Sequence, residues 1–207
     1  MRDIGPGILS YYQETSTQND LLVAGPDGAG YTYPGVWPGG ALSAYLNQSG
    51  DYMRSTQTDK VLFVYNRVNS TDTPLTPEVT VAFRDAVGED RLRGILFGSF
   101  VSTLESLQAN VTGGFPITNM VGIGDEESGA ATLRNISDNW GRRGPLFVAG
   151  ALAAFDMTPA NVSRMVEQLG PEFEVVRPDK WFELLRKAAS NNTGLQGPTA
   201  LTHSHQS

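Results

Sequence analysis

The sequence predicts an α/β fold built on a mostly parallel sheet, and three observations carry that expectation. Short apolar runs and amphipathic helical patterns alternate six times between residues 21 and 189. Alternation of this kind sets parallel strands side by side through right-handed crossover helices. The run over 60–65 (KVLFVY) is almost continuously apolar, as a strand covered on both faces must be. Thr76-Pro77 and Thr158-Pro159 each join a capping threonine to a proline at the first helical position. Six units fall short of the eight of a closed barrel, so an open doubly wound sheet and an incomplete barrel both fit. About 200 residues suit one domain with a sizeable core.

In chain order, 21–24 reads as the first strand. A helix over 40–53 puts Leu42, Tyr45, Leu46 and Met53 on one face. The second strand is 60–65. Thr76 caps the next helix, whose Val79, Ala82, Phe83 and Ala86 form its buried face. The third strand is 93–97, ending at Gly98-Ser99, with a short helix over 103–108. The fourth is 116–121; it leads through Gly122-Ile123-Gly124-Asp125-Glu126-Glu127 into a helix over 128–140. The fifth is 146–153. The helix opened by Pro159 buries Val162, Met165, Val166 and Leu169 and stops at Gly170-Pro171. The sixth strand is 173–176. Asp179 caps a last helix to residue 189, with Trp181, Leu184, Leu185 and Ala188 facing the core. The domain organisation reads as a leader over 1–8, one α/β domain over 9–189 and a disordered polar tail over 190–207.

The stretch Gly25-Pro26-Asp27-Gly28-Ala29-Gly30-Tyr31-Thr32-Tyr33-Pro34, running on to Trp37, leaves the first strand. Glycines permit positive φ and close backbone approach. Aromatic rings offer flat apolar faces with polar tips. Together they suggest a floor and wall for a small polar ligand such as a sugar. The competing reading is a tight turn followed by a core aromatic cluster.

Residues 28–34, Gly-Ala-Gly-Tyr-Thr-Tyr-Pro, match the motif that names the GxGYxYP putative glycoside hydrolase family, in its C-terminal domain. Tyr11-Tyr12-Gln13-Glu14-Thr15 with Asn19-Asp20 resembles the family's lead-in, and Val176-Arg177-Pro178-Asp179 its closing strand and cap. Seven fixed positions make a specific signal. The resemblance runs over about 9–189. It implies a carbohydrate-active domain, a further N-terminal region of the same protein, and hence a barrel-like sheet that the further region helps complete.

Composition narrows the partners. A net charge of -7 argues against nucleic acid, which wants a basic face. No apolar run is long enough to span a bilayer. Six of the eleven asparagines lie in Asn-x-Ser/Thr sequons: Asn47, Asn69, Asn110, Asn135, Asn161 and Asn191. About two are expected by chance, so the excess points to a secreted glycoprotein, although residues 1–6 do not have the form of a signal peptide. The absence of cysteine is neutral in a domain of this size.

The available chemistry is limited by residue type. The two histidines, His203 and His205, fall in the tail, and there is no cysteine. Triad chemistry, thiol catalysis and histidine-rich metal sites therefore have no residues in the folded part. No metal and no cofactor are expected. Glycoside hydrolysis needs only two carboxylates, one protonated and one ionised. In parallel α/β folds the ligand edge lies at the C-terminal ends of the strands. That edge offers Asp27 as a first catalytic candidate, and Asp125 or Glu126 as its partner. Tyr31, Tyr33 and Trp37 are candidate sugar platforms, and Asn66 a hydrogen-bonding residue. Each has a structural alternative: Asp27 as a turn former, Asp125 and Glu126 as acids favoured at a helix start, and the aromatics as core. The competing class is a carbohydrate-binding or cell-surface domain without turnover.

Overall fold

The computed structural model describes residue 3 and residues 5–191, apart from 108, 113–114 and 142–143. Seven strands and six helices of these residues follow the order α1 (Pro6–Thr15), α2 (Gly39–Ser55), β1 (Val61–Val64), β2 (Arg67–Val68), β3 (Thr71–Asp72), α3 (Pro77–Val87), β4 (Gly94–Val101), β5 (Ala109–Thr112), β6 (Phe115–Ile123), α4 (Glu126–Trp140), β7 (Gly150–Leu152), α5 (Pro159–Glu167) and α6 (Pro178–Asn191). A single 3-10 turn, Pro34–Val36, precedes α2.

The main sheet runs β1-β4-β6, all parallel, and the far edge of β6 is divided. Its first half pairs antiparallel with β5, from Thr112↔Phe115 to Ala109↔Thr118; its last residues pair parallel with β7 through 121–123. The four parallel strands curl into a half-barrel with helices between them, the fold class expected. Apolar side chains alternate between two layers. Leu62, Val64 and Ile95 meet Met53 of α2 and Phe83 and Val87 of α3. Val61 and Leu96 face Trp181, Phe182 and Leu185 of α6. A third cluster joins Val121 and Ile123 to Ala130 and Ile136 of α4 and Met165 of α5. Burial on both sides explains why β1 is so uniformly apolar.

Helices α3 and α5 start at the expected prolines; α4 starts two residues before the expected 128, and α6 starts at Pro178, so Asp179, expected as its cap, lies inside the first turn and pairs with Arg177. The Thr76 hydroxyl accepts from the Val79 N–H, Thr158 forms a reciprocal capping box with Asn161, and the Asp125 carboxylate accepts from the Ser128 N–H.

Four expected elements differ. The first strand is a single parallel bridge, Ala24↔Leu62. Ala24 donates to the Val61 carbonyl at 3.0 Å and accepts from Phe63 at 2.7 Å; two residues later Pro26 has no N–H with which to continue a ladder. The fifth strand shortens to Gly150–Leu152. The sixth, over 173–176, forms no ladder: Val175 is 65% exposed, while Val176 packs onto the α6 cluster. Residues 103–107 make a turn in place of a helix, closed by Leu107 N–H to the Leu104 carbonyl at 3.1 Å. Beyond residue 191, the expected tail lies outside the described residues.

Candidate functional site

The loop from Gly25 to Trp37 is built around one buried carboxylate. Asp27 is 0% exposed. Its backbone N–H donates to the Phe63 carbonyl at 2.9 Å, extending the Ala24 bridge past the proline. One carboxylate oxygen accepts from the Thr32 N–H at 3.0 Å, the other from the Tyr65 N–H at 2.7 Å. The side chain therefore ties the GAGYTYP segment to the end of β1. Burial pushes Asp27 up to about 7, against the two backbone donors, which favour the charged form.

Helix α2 supports the loop from behind. The Tyr45 hydroxyl lies against the carbonyl oxygens of Asp27 and, at 2.8 Å, of Gly30. Burial pushes that phenol up to about 12, and the charge of Asp27 adds to the shift. The Ser49 hydroxyl accepts from the Ala29 N–H at 3.2 Å. Gly28 occupies the gap between: its φ is 94°, and a Cβ there would lie 2.7 Å from the Ser49 Cβ. Only glycine suits both the left-handed backbone and the close approach.

Asn66 and Trp37 complete this frame. Asn66 is 2% exposed. Its Oδ1 accepts from the Gly35 N–H at 2.8 Å and its Nδ2 donates to the Thr73 carbonyl at 2.8 Å. Trp37 stacks on Tyr45, with centroids 4.7 Å apart and planes at 26°, and packs against the α2–α3 core. One of its faces is thus occupied. Its buried Nε1 has no hydrogen-bond partner.

The rings of Tyr31 and Tyr33 stand on the outer side of the loop. Tyr31 is 63% exposed. It meets Tyr33 edge-to-face at 6.0 Å and Tyr65 at 5.8 Å. Tyr65 in turn contacts Phe63 at 4.9 Å and Phe100, itself 50% exposed, at 6.1 Å. The result is an aromatic shelf along the C-terminal ends of β1 and β4. Two details of β4 make it possible. The register jumps from Phe97↔Asn119 to Phe100↔Met120, leaving Gly98 and Ser99 as a bulge. A Cβ on Gly98 would lie 2.6 Å from the Tyr65 ring, so the glycine leaves the ring its seat. Arg67, held by Asp72 at 2.7 Å, adds a cation close to Tyr31 and Tyr33.

The other candidate acids sit elsewhere on the same edge. Asp125 caps α4, accepting from the Ser128 N–H at 2.8 Å and the Ser128 hydroxyl at 2.6 Å; those hydrogen bonds lower its pKa. Glu126 pairs with Arg164 at 3.0 Å and accepts from the Asn161 side chain at 3.2 Å. Three inter-strand steps, 21–24 to β1 to β4 to β6, separate the Asp27 loop from this one. At ~4.8 Å each that is about 14 Å along the sheet. The structure thus gathers Asp27, Tyr31, Tyr33, Trp37 and Asn66 into one loop system and leaves Asp125 and Glu126 outside it.

Tyr65 and Phe100 belong to the shelf and were not among the sequence candidates. The rule that ligands meet the C-terminal strand ends could have found both, since Tyr65 closes the KVLFVY run and Phe100 follows the glycine of the third strand.

Comparison with known proteins gives a family and a fold. A family model described as "GxGYxYP putative glycoside hydrolase C-terminal domain" matches residues 1–186. No curated protein matches the chain significantly. A solved structure, of a putative hydrolase from Bacteroides thetaiotaomicron VPI-5482, superposes with a TM-score of 0.67 at 16% identity. The superposition covers 88% of this chain and 36% of that one, so this chain spans about a third of the length of its structural neighbour.

Proposed function

This chain belongs to the GxGYxYP putative glycoside hydrolase C-terminal domain family, and on that premise we propose that it is the carbohydrate-holding part of a glycoside hydrolase. The observation that carries the reading is the aromatic shelf: Tyr31 and Phe100, 63% and 50% exposed, linked through Tyr65 at the C-terminal edge of a parallel sheet. The exposed ring faces suit the flat apolar faces of sugars, and the Tyr31 hydroxyl suits their rim hydroxyls. Asp27 orders the loop that presents them. The test is calorimetric titration of the chain with a panel of neutral oligosaccharides. A binding member is expected, and Tyr31→Ala or Phe100→Ala weakens it about tenfold. A panel with no binder, or variants that bind as the wild type does, refutes the reading.

A second reading, hydrolysis by Asp27 with Asp125 or Glu126, is favoured by one observation: burial pushes Asp27 up to about 7, where a carboxyl can act as a general acid at neutral pH; it requires the two loops to come closer than the ~14 Å that separates them, because such carboxyl pairs stand roughly 5–10 Å apart. The assay is turnover of a polysaccharide panel by the longer parent protein carrying Asp27→Asn or Glu126→Gln. Full activity in both variants removes the carboxylate pair.

A further region of the same protein completes the half-barrel in this reading. The longer structural neighbour supports it. Secretion is the matching localisation, supported by the six sequons. Asn47, Asn69 and Asn135 are exposed and are the sites expected to carry glycan. Asn161, whose amide is committed to Thr158 and Glu126, is expected to stay bare. Glycopeptide mass spectrometry of the secreted protein reads both, and a wholly unmodified chain counts against secretion.

A further inference from the structure

The opposite end of the sheet carries a concave site. Lys60 and Arg93 stand just before Val61 of β1 and Gly94 of β4, where the Arg93 N–H donates to the Lys60 carbonyl at 2.7 Å. Helix α6 lies against them, with Lys180, Arg186 and Lys187 on it and Arg177 just before it. These six cations line a cavity of about 400 Å³. The whole sequence holds three lysines, and all three are here. A chain of net charge -7 gathers six of its fifteen basic residues around this one cavity.

Two carboxylates share the cavity, and both are engaged. Asp179 takes Arg177 through two contacts, at 3.1 and 2.8 Å. Glu183 serves both Lys180, at 3.3 Å, and Lys187, at 2.6 Å. Among the described residues no carboxylate pairs with Lys60, Arg93 or Arg186. Arg186 is half-buried; it donates to the Arg93 carbonyl at 2.6 Å and lies 5.7 Å from the centre of the Phe115 ring. Burial and the Arg93 charge lower its pKa. Like charges lining one cavity without a counter-charge disfavour each other, and a bound anion relieves the repulsion.

We propose that this cavity is an oxyanion site for a phosphate- or sulfate-bearing small molecule. Guanidinium groups present planar forks that match the oxygens of such groups, and the lysines add mobile point charges. The volume falls in the range of roughly 300–1,000 Å³ typical of small-molecule sites and leaves room beyond a bare inorganic anion, as in a sugar ester. The site lies at the N-terminal ends of the parallel strands, away from the aromatic shelf, and does not rest on the carbohydrate reading of that shelf.

The test is calorimetric titration of the whole chain at constant ionic strength, with sodium phosphate, sodium sulfate, glucose 6-phosphate and glucose as probes against a chloride background. An oxyanion probe binds and glucose does not. Tighter binding of glucose 6-phosphate than of phosphate supports an ester ligand; equal binding supports a free oxyanion; both support the site. Lys60→Gln and Arg93→Gln each weaken binding about tenfold. Arg186→Gln also removes a hydrogen bond to backbone, so thermal midpoints check the folding of every variant, and Lys60 and Arg93 carry the test. Arg134→Gln removes an equal charge from a remote exposed position and changes affinity by less than about twofold at physiological salt. No binding above the chloride background overturns the proposal. So does unchanged binding in Lys60→Gln and Arg93→Gln, or a loss in Arg134→Gln as large as theirs.

Discussion

Asp27 and Asp125 occupy equivalent places in the topology. Each comes after a parallel run of backbone, at the edge where ligands bind in folds of this class. Yet Asp27 is buried and pushed up to about 7, while Asp125 is exposed and held below its ordinary value by Ser128. The difference lies in the next stretch of chain. Asp125 leads at once into a helix, whose free N–H groups turn the carboxylate into a cap facing water. Asp27 leads into eleven residues of turn, aromatic segment and 3-10 structure before α2 begins. That length of chain closes over the carboxylate, and α2 returns Tyr45 and Ser49 to seal it. A strand exit thus becomes a scaffold for a binding surface when the chain covers it, and a helix cap when it does not.

The largest effect expected from this contrast is on stability. Asp27→Ala strips the acceptors from two buried or part-buried N–H groups, those of Thr32 and Tyr65, and costs about 3 kcal/mol or more. Asp125→Ala removes an exposed cap and costs less than half as much. Urea denaturation of both variants measures the gap. Equal losses would mean that the Asp27 carboxylate does not organise its loop.

The same contrast explains what was legible in the sequence. Caps are local, so Thr76, Thr158 and Asp125 were readable from a few neighbouring residues. Strands β1, β4 and β6 were readable because burial on both faces leaves an apolar run. Helix α1 buries none of its residues and so leaves no stripe to recognise. The β2–β3 hairpin turns through Asn69 and Ser70, both at positive φ, a turn that sequence reading treated only as a sequon. The antiparallel β5 escaped because none of the six expected strands covered 109–112, although Gly113-Gly114 is a hairpin signal. The segment over 173–176 has strand-like composition, but composition does not say whether a neighbouring edge is free to pair. In the candidate site, Asp27, Tyr31 and Tyr33 were legible from motif and topology. The frame role of Asn66 was not, because it depends on Gly35 and Thr73, which the fold brings to it; for Trp37 the sequence left platform and core both open, and its stacking on Tyr45 decides for core. Phe100 lies at a strand end that topology could have flagged, but the β4 bulge that aims it at Tyr65 has no simple sequence signature.

The glycines of the two loops sharpen the comparison at a smaller scale. Gly28→Ala places a Cβ 2.7 Å from Ser49 at a backbone φ of 94° and is expected to cost about 2 kcal/mol. Gly124, just before Asp125, has nothing within 4 Å of its notional Cβ, and Gly124→Ala stays within about 0.5 kcal/mol of wild type. Thermal unfolding of the two variants decides it. A tolerant Gly28 would show that the loop can re-seat on α2, weakening the case for a rigid scaffold.

The pH dependence carries the most diagnostic signal, because the two acids predict slopes of opposite sign. Asp27 rises from an ordinary value of 3.8 to about 7 on folding, so across that window the native state keeps a proton that the unfolded chain has released. Its contribution is greatest below about 4 and is lost as pH rises towards about 7. Asp125 is lowered on folding; its contribution is present above the ordinary carboxylate range and is lost as pH falls through the folded value. Asp27→Asn should therefore flatten a decline in stability between about pH 4.5 and about pH 7, whereas Asp125→Asn should leave that interval alone and flatten the loss on the acid side. Urea midpoints of the three proteins across the range measure both slopes. If Asp27→Asn instead parallels the wild type throughout, the Asp27 pKa does not change on folding, the two backbone donors offset its burial, and the general-acid reading loses its one support.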